Sequence, residues 1–585
     1  MGDLLIHRSD LPNPTVTRML SVLNNQGATS CREFSVPGYK LHAVAGKNAQ
    51  PDIIERTDGS FVIVTGTLFY HGSHGSKAAE HLLDHLTGGE VDEHEMHGSF
   101  VVAAWGSGKL TVFTDWLGNV CLYQNPSETV WSTSFLATSA SRSNLTINTQ
   151  AFYEYVFQGT TYGRHTLFNE VERVDCSKYH ELLSKTFTPR PNLSRRVEAN
   201  DDGLIENVRR SIEALNPFFD AIHQAFGSRI DTALSGGFDS RLILAFLRVR
   251  GITPKLHVYG RESDLDVQIA RQISQGEGFK LAHVDKSHLV TYGLGEEVKA
   301  TVLENFFCFD GYPTDGIFDS GQDLYTRRSR MDDGFLLLNG GGGEIFRNFF
   351  YLPDRSFSPR QLLWTFYSQY DPKVCSGIFD EKDYTTRLMQ KFTEEIGASD
   401  EKLNRTEVEK VYSTFRCRYW MSRNTSINNR IGNAVTPLIG YTSAATALTI
   451  PMRFKSNGFL EAAMINQLDP ALARYSSTYG FSFSEGPGLK ARIKGKLNEL
   501  KPPIVRKLSF RLRHRLQEKT ALSSLLEMAD PRGVWKESAV SKLVDIDLMR
   551  NMEQARRTAT AHYLFTHCQA GLTHSYLEKP NSESG

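Results

Sequence analysis

The stretch that decides the fold of this chain lies near its middle and passes from an apolar strand through a glycine turn into a helix. It reads Arg229-Ile230-Asp231-Thr232-Ala233-Leu234, then Ser235-Gly236-Gly237-Phe238-Asp239-Ser240, and continues as an apolar segment, 241–250, that Gly251 closes. Adjacent glycines let the backbone turn tightly and present successive N–H groups, and a helix N-terminus adds partial positive charge. The pattern predicts a cradle for a pyrophosphate.

The side chains of this loop suit a nucleotide phosphate. Ser235 and Ser240 can donate hydroxyl hydrogen bonds, whereas Asp239 would repel a bare phosphate. A carboxylate at this position predicts a ligand for Mg²⁺ that bridges to the anion. The alternative is a simple tight turn in which Asp239 only caps the helix.

The chain after the loop continues as alternating helix and strand. Strands are predicted at 255–260 and 279–284 with a helix at 267–274 between them, which completes a βαβαβ unit. Ligands of open parallel sheets bind beyond the carboxyl ends of the strands, so Tyr259 and Gly260 are predicted beside Ser235 with adenosine between them. Asp264 and Asp266 could contact the ribose, or they could only cap the helix.

The pattern of the whole chain predicts an α/β protein that consists of three parts. Up to about residue 190, short strands dominate, at 61–64, 67–70, 100–105 and 110–113, with a helix at 76–86. Residues 1–195 are predicted as one domain, 200–530 as a parallel-sheet domain, and 531–585 as a helical extension with a frayed tail. The extension contains an amphipathic helix predicted at 543–561.

Composition argues against several classes of protein. Lys plus Arg and Asp plus Glu both total 66 in 585 residues, and no apolar run approaches membrane-spanning length. The seven cysteines include no C-x-x-C pair, which fits reduced thiols. We therefore expect a cytoplasmic protein with no nucleic-acid or membrane partner.

The loop 235–240 resembles the S-G-G-x-D-S pyrophosphate loop of the ATP pyrophosphatases, in the form seen in asparagine-synthetase-like enzymes. That family includes asparagine synthetases, β-lactam synthetases and lasso-peptide cyclases. Residues 339–346 are similar to its G-x-G-x-D-E-x-F loop, and 98–100 with 115–123 resemble its class II glutamine amidotransferase domain. The resemblance implies an N-terminal Ntn-hydrolase-like αββα sandwich followed by a parallel-sheet synthetase domain of the adenine-nucleotide α-hydrolase type.

The resemblance also implies ATP and Mg²⁺ as cofactors and assigns residues to them. Asp239 and Glu344 would be catalytic and metal-binding, although Glu344 could equally be a helix-capping acid, and Lys490 would be the catalytic lysine, with Arg492, Lys494 and Lys496 as competitors. The residues implied to bind ATP or pyrophosphate are Leu234, Ser235, Gly236, Gly237, Phe238, Asp239, Ser240, Tyr259, Gly260, Gly341 and Gly342.

Two departures from the family pattern bear on activity. Gly2 stands where a glutaminase of this class exposes a nucleophilic cysteine, and the first cysteine is Cys31. We therefore predict that glutaminase activity is lost and that the N-terminal domain is structural. Gly343 stands where the family has a metal-binding aspartate, with Glu344 as the nearest carboxylate.

These features predict an ATP-dependent amide-forming ligase that adenylates a carboxylate, releases pyrophosphate and lets an amine or ammonia attack the adenylate. The expected substrate is a small-molecule or peptide carboxylate, as in peptide or β-lactam ring closure, and a partner protein could deliver a precursor peptide. The alternatives are an asparagine synthetase that uses free ammonia and a catalytically inactive ATP-binding scaffold. The basic run from Lys490 to Arg515 could bind a peptide or be a solvated helix face. Arg430 could hold a substrate carboxylate or form a structural ion pair.

Overall fold

The structure is a computed structural model, which describes residues 2–89, 91–193, 197–286, 295–319, 321–398, 401–516, 525, 528–530 and 533–572. Two antiparallel sheets form the N-terminal part, and a parallel sheet flanked by helices follows. The chain is therefore α/β, as predicted. Within the described ranges, no helix has both the length and the apolar character needed to cross a bilayer.

The N-terminal part pairs its strands into a six-stranded and a seven-stranded sheet. The strands are β1 Asp3–Arg8, β2 Ala28–Val36, β3 Tyr39–Gly46, β4 Asp52–Glu55, β5 Phe61–Tyr70, β6 Ser73–His74, β7 Met96–Gly106, β8 Lys109–Thr114, β9 Tyr123–Gln124, β10 Val130–Ser132, β11 Glu172–Arg173, β12 Lys178–Glu181 and β13 Thr186–Pro189. The first sheet has the order β11-β9-β10-β1-β3-β2, and the second has the order β13-β12-β8-β7-β5-β4, with β6 on β5.

These two sheets pack face to face between helices. The helices of this part are α1 Asn13–Asn25, α2 Ser76–Gly88, α3 Phe135–Ser139 and α4 Thr149–Gln158. Ile6 of β1 shares a buried cluster with Ile63 and Val101 of the second sheet. Alternate residues of a strand face opposite sides, so each sheet also has an outer face. The helix α2 packs on one outer face through Leu82, and α1 packs on the other through Met19. The layers are thus α–β–β–α.

One predicted pair of strands is a single strand in the structure. The segments 61–64 and 67–70 are joined through Gly66 into β5, which is buried along its whole length. Gly66 has φ +100, and a Cβ there would lie 2.3 Å from the backbone oxygen of Ser99. Glycine therefore keeps β5 paired with β7 at a point where any other residue would clash.

A buried histidine pair lies between β1 and β3 and predicts acid sensitivity. The Nε2 atoms of His7 and His42 are 3.1 Å apart, and burial, reinforced by His7, lowers the pKa of His42 to about 4. An unfolded histidine takes up a proton near pH 6.5. The stabilising effect of the neutral pair is therefore complete above that pH and is lost as the pH falls toward 4. Glu33 and Lys40 also face the pair and act in opposite directions on its charge.

We expect the free energy of unfolding to fall by about 2 kcal/mol between about pH 7.5 and about pH 5, after allowance for solvent screening. The measurement is urea unfolding across this pH range for the native chain and for His42→Gln. The variant should show a flatter pH profile, because it lacks an imidazole whose pKa is lowered to about 4 in the folded state. Equal slopes in the two proteins would contradict the assignment.

The second part is built on a five-stranded parallel sheet with the order β16-β15-β14-β17-β18. Its strands are β14 Ile230–Ala233, β15 Lys255–Tyr259, β16 Leu281–Val284, β17 Leu336–Leu338 and β18 Asn433–Val435. Thr232 of β14 pairs with Leu256 of β15 on one side and with Leu338 of β17 on the other. β14 is therefore the central strand of this sheet.

Helices cover this sheet and extend beyond it. They are α5 Leu204–Phe226, α6 Phe238–Val249, α7 Leu265–Glu277, α8 Glu296–Cys308, α9 Gln322–Met331, α10 Pro359–Leu362, α11 Glu381–Glu395, α12 Arg405–Lys410, α13 Ser422–Ile431, α14 Tyr441–Leu448, α15 Met452–Lys455, α16 Phe459–Leu468, α17 Pro470–Ala473, α18 Leu489–Leu500, α19 Pro503–Leu516 and α20 Met552–His567. A π-helical stretch, Val411–Met421, joins α12 to α13. The main core includes Phe219 of α5 stacked on Phe246 of α6.

The C-terminal helix differs from the prediction. A helix over 543–561 was expected on the synthetase core, but Ile546–Leu548 is a short turn and α20 begins at Met552. The side chain of Asn551 accepts a hydrogen bond from the backbone of Gln554, and this cap sets the start of α20. Phe565 of α20 packs against Phe152 of α4, so the helix contacts the N-terminal part. The predicted frayed tail, 581–585, lies outside the described residues.

Candidate active site

The glycine loop stands at the carboxyl edge of the parallel sheet, between β14 and α6. The hydroxyl oxygens of Ser235 and Ser240 are 2.9 Å apart, and Ser240 accepts the N–H of Ser235 at 3.1 Å. Ser235 in turn accepts the N–H of Gly237 at 3.1 Å. This pair of hydroxyls holds the turn in shape and directs the start of α6 toward the space above the sheet.

One backbone donor of the loop already binds an anionic oxygen. Asp266, in the first turn of α7, accepts the N–H of Gly236 at 2.8 Å. This N–H is therefore occupied by a carboxylate oxygen of the protein, the kind of group that donors at a helix N-terminus bind. Neither Asp264 nor Asp266 caps α7 through its side chain. The side chain of Asp264 instead accepts a hydrogen bond from the N–H of Arg261.

A cavity of about 620 Å³ opens beside the loop. Phe238 forms part of its wall and stacks on Phe483, with ring centroids 4.3 Å apart, and on Tyr479 at 4.6 Å. Arg347 and Lys494 bring positive charge to the lining. This volume and this mixture of aromatic and charged groups suit a small ligand with an anionic end.

The most unusual feature of the site is a guanidinium surrounded by three carboxylates. Arg347 donates from one nitrogen to both carboxylate oxygens of Asp239 at 2.9 Å. The same side chain lies 3.2 Å from Glu461 and 3.5 Å from Glu344. Its guanidinium also lies over the ring of Phe238, 5.2 Å from the centroid. Arg347 therefore connects the glycine loop to the cavity wall.

Burial controls the charge of this cluster. Glu461 is fully buried on α16, and burial together with Asp239 raises its pKa well above the usual range. Burial also raises the pKa of Asp239, although Arg347 opposes that change. Burial would lower the pKa of Arg347, but Asp239 and Glu461 raise it. We therefore expect a charged arginine, with burial favouring the protonated form of Glu461 and opposing the negative charge of Asp239.

Two glycines of the neighbouring loop make room for Asp239. A Cβ at Gly343 would lie 2.2 Å from the Oδ1 atom of Asp239, and one at Gly340 would lie 3.4 Å from its Cβ atom. The Asp239 carboxylate thus occupies the space that a side chain at 343 would need. This is the physical reason why an aspartate at 343 is incompatible with the present position of Asp239.

The residues present do not fit the Mg²⁺ ion that the resemblance implies. Both oxygens of Asp239 are used by Arg347, and Glu344 accepts a hydrogen bond from Tyr412. Across the described part of the chain, no group of three or more His, Cys, Asp or Glu is placed to hold a metal. The guanidinium supplies the positive charge at the point where Asp239 and Glu344 were predicted to share an ion.

The structure brings most of the predicted phosphate and adenosine residues to one edge of the sheet. Gly260 follows β15, and the N–H of Leu234 donates to the backbone oxygen of His257 in that strand. Tyr259 ends the strand, with the amine of Lys286 4.5 Å from its ring centroid. The loop containing Gly341 and Gly342 follows β17 on the other side of β14. Their assignment to ATP stays a prediction.

The predicted catalytic lysine lies at the start of α18. Lys490 is exposed, whereas Lys494, one turn further along, lines the cavity. Of the basic residues that competed for this role, Lys494 therefore has the position best suited to reach the ligand space. The role of Lys490 stays a prediction.

Sequence reasoning missed Arg347, Glu461 and Tyr412. Glu461 carried a signal, since it is the sole carboxylate in the otherwise apolar and amide segment of α16. A single acid in an apolar helix is costly to bury unless it has a partner. Arg347 lies three residues after Glu344, but it follows a short turn, Gly343–Phe346, so helical spacing could not reveal its direction.

The N-terminal part has no space for a nucleophile at its second residue. A Cβ at Gly2 would lie 1.4 Å from the backbone oxygen of Val44. Burial raises the pKa of Cys31, which lies 3.8 Å from the Nδ1 atom of His42, so this thiol is not activated. Asp115, from the motif at 115–118, is buried and accepts four backbone N–H groups, which is a structural role.

Arg430 forms the structural ion pair that was one of its two predicted roles. Its Nε and Nη2 atoms contact Asp3 at 3.0–3.1 Å, and the guanidinium lies 3.7 Å from Asp310. The pair joins the N-terminal strand to α13 and leaves no guanidinium face toward the cavity beside the glycine loop.

The fold and the site together define an α/β protein with an α–β–β–α part, a parallel-sheet part and a glycine loop at the carboxyl edge of that sheet. No family model matches the chain, and no curated protein matches it. Among solved structures, a glutamine phosphoribosylpyrophosphate amidotransferase from B. subtilis complexed with ADP and GMP matches with 10% identity and a TM-score of 0.23. The match covers 48% of this chain and 65% of that chain, which is less than two thirds of its length. The function is therefore argued from the residues of the site.

Proposed function

We propose that this protein is an ATP-dependent ligase that activates a carboxylate as its adenylate and joins it to an amine or ammonia. The observation that carries the proposal is the glycine loop between β14 and α6, whose backbone donor at Gly236 already binds a carboxylate oxygen beside a 620 Å³ cavity. A strand, a glycine turn and a helix N-terminus at this edge form a site for phosphate groups.

In this proposal the chain supplies orientation and positive charge. The pyrophosphate binds at Ser235–Ser240 and displaces Asp266 from the N–H of Gly236. The substrate carboxylate binds in the cavity and attacks the α-phosphate, and pyrophosphate leaves. Arg347 and Lys494 face the developing negative charge from the cavity wall, where fixed cations stabilise it. The amine then attacks the acyl carbon of the adenylate while both reactants are held together. The C–N bond forms, the acyl–phosphate bond breaks, AMP leaves and the amine loses a proton to solvent.

A second candidate is an ATP-binding scaffold without ligase activity. It is favoured by the contact of Arg347 with both oxygens of Asp239, which removes that carboxylate from metal binding. The two candidates differ in one measurable property, because a scaffold binds ATP but does not exchange pyrophosphate into it.

The test is ATP–pyrophosphate exchange with pooled small carboxylates and peptides, for the native chain and Asp239→Ala. We expect the native chain to exchange and the variant to lose about a hundredfold in rate, because Arg347 loses the partner that positions it. Asp220→Ala is the matched control, since Asp220 is an exposed acid on α5 that pairs with Arg250. It should retain the native rate.

Equilibrium dialysis with ATP separates the outcomes. ATP binding without exchange in any pool would favour the scaffold, and absence of ATP binding would reject both candidates. Equal exchange by the native chain and Asp239→Ala would show that the loop is not the reacting site.

A further inference from the structure

Helices α18 and α19 turn their apolar side chains away from the protein. The apolar positions recur every three or four residues, so they lie along one side of each helix. We call this set the outer stripe, and it consists of Leu489 (73% exposed), Ile493 (53%), Leu497 (65%), Leu500 (59%), Ile504 (39%), Leu508 (55%), Leu512 (61%) and Leu516 (75%). A row of exposed apolar side chains along a helix face marks an interaction surface.

The inward side of these helices is polar and is fastened to the protein. Lys507 and Arg511 of α19 pair with Glu381, and Arg515 pairs with Asp371. On α18, Glu499 is buried and accepts hydrogen bonds from Asn348 and Ser456. Rotating either helix to bury its leucines would break these contacts. The outward direction of the outer stripe is therefore built into the fold.

Positive charge is concentrated around the outer stripe. Residues 489–516 contain ten Lys or Arg and a single acid, whereas the two charge types are equal in number over the whole chain. Lys490, Arg492, Lys494 and Lys501 are all exposed. On α18, Arg492 and Lys496 lie on one side of the leucine row and Lys490 on the other. Long basic side chains beside an apolar row can reach toward an anionic surface while the leucines enter it.

We propose that the outer stripe of α18 and α19 binds the surface of an anionic phospholipid membrane. Helices with leucines on one face and Lys or Arg at its borders lie in the plane of the headgroup region, held by apolar burial and by attraction to anionic lipids. This proposal does not depend on the proposed ligase activity. It revises the expectation of no membrane partner, which considered only spanning segments and total charge.

Two other occupants suit the outer stripe less well. A second copy of the chain would bring one basic segment against another, and like charges oppose that contact. A partner helix binds in a groove, where the lining side chains are largely covered before binding. Leu489, Leu497 and Leu516 instead project with most of their surface exposed, which suits a soft and extended surface.

Binding there would place the membrane close to the cavity. Lys494, Gly495 and Asn498 of α18 line the cavity beside the glycine loop, while Ile493 and Leu497 of the same helix belong to the outer stripe. A single helix therefore contacts both the ligand space and the proposed membrane surface.

The test is flotation of the full chain with vesicles of phosphatidylcholine alone and of phosphatidylcholine with phosphatidylglycerol. We expect the native chain to float with the anionic vesicles, and to do so more weakly at high salt. It should not float with the neutral vesicles. Leu497→Glu/Leu508→Glu should weaken binding by more than about tenfold, because both changes put charge on the buried face. Arg492→Gln/Lys501→Gln should weaken it by a smaller factor.

Ile205→Glu/Val249→Glu is the matched control, because both residues are exposed and apolar but lie on α5 and α6. It should float like the native chain, and circular dichroism should show all variants folded. Failure of the native chain to float, or equal flotation with both kinds of vesicle, would overturn the proposal. A native dimer that dissociates in Leu497→Glu/Leu508→Glu would also overturn it. So would a native chain that binds an acidic amphipathic peptide but does not bind vesicles.

Discussion

Replacing Asp310 with alanine should lower the free energy of unfolding by about 3–5 kcal/mol, because it leaves the buried Arg423 without its counter-charge. Asp310 is 2% exposed and lies between the two parts of the molecule. It accepts hydrogen bonds from the hydroxyl of Ser134 and from the backbone of Phe135 and Leu136, all at 2.8–3.0 Å. These donors belong to the N-terminal part.

Two arginines of α13 approach Asp310 from the other side. Arg423 lies 3.5 Å from its carboxylate and Arg430 lies 3.7 Å away. Burial alone would raise the pKa of Asp310, but Arg430, Arg423 and the backbone donors hold it below its usual value. The carboxylate is therefore charged at neutral pH, and its folded-state contribution is lost only as the pH falls below the ordinary range of an aspartate.

The measurement is urea unfolding at neutral pH, with amide hydrogen exchange at Phe135 and Leu136. Asp310→Asn keeps the shape and one acceptor but loses the charge, so its cost should be intermediate. Asp380→Ala, which removes a helix cap at the start of α11, is the control for loss of an ordinary aspartate and should cost about 1 kcal/mol. If Asp310→Ala costs no more than this control, the residue does not join the two parts.

Replacing Arg347 with methionine should also destabilise the protein by about 3–5 kcal/mol at neutral pH, since the carboxyl cluster of Asp239, Glu344 and Glu461 loses its cation. Methionine keeps most of the length of the side chain, so the effect reports charge more than volume. The raised pKa of Asp239 and of Glu461 fixes the sign of the pH dependence. These acids prefer to be protonated in the folded state, so the destabilisation is greatest at high pH and declines as the pH falls.

Glu461→Gln is the matched control for this prediction. Because burial raises the pKa of Glu461, the folded protein favours its protonated form, and a neutral amide of the same shape should cost less than about 1 kcal/mol. In the double variant Arg347→Met/Glu461→Gln the loss should be smaller than in Arg347→Met. Urea unfolding at several pH values measures all three proteins.

Magnesium provides a second readout of the same cluster. If Arg347 supplies the positive charge between Asp239 and Glu344, adding Mg²⁺ should leave the melting temperature of the ligand-free native chain unchanged. The ion should raise the melting temperature of Arg347→Met, in which two carboxylates are available to it. Stabilisation of the native chain by Mg²⁺ would show that the arginine does not replace the ion.

The strand, loop and helix from Ile230 to Val249 could be predicted because their signals are local. Apolar runs, adjacent glycines and the closing glycine act on neighbouring residues, so the boundaries differ from the expectation by only a few positions. The same applies to the order of strands and helices through Val284. The helix expected at 543–561 was wrong because a cap at Asn551, rather than apolar spacing, sets where α20 begins.

The sequence by itself determined the α/β class and the glycine loop with its serines and Asp239, since backbone geometry and hydroxyl spacing depend on residues close in the chain. Only the tertiary structure decided which groups surround Asp239. Arg347 and Glu461 come from segments more than a hundred residues away, and their charge states depend on burial, which no local pattern encodes. The outward direction of the leucines was decided in the same way, on α19 by ion pairs to Glu381 and Asp371 and on α18 by hydrogen bonds to the buried Glu499.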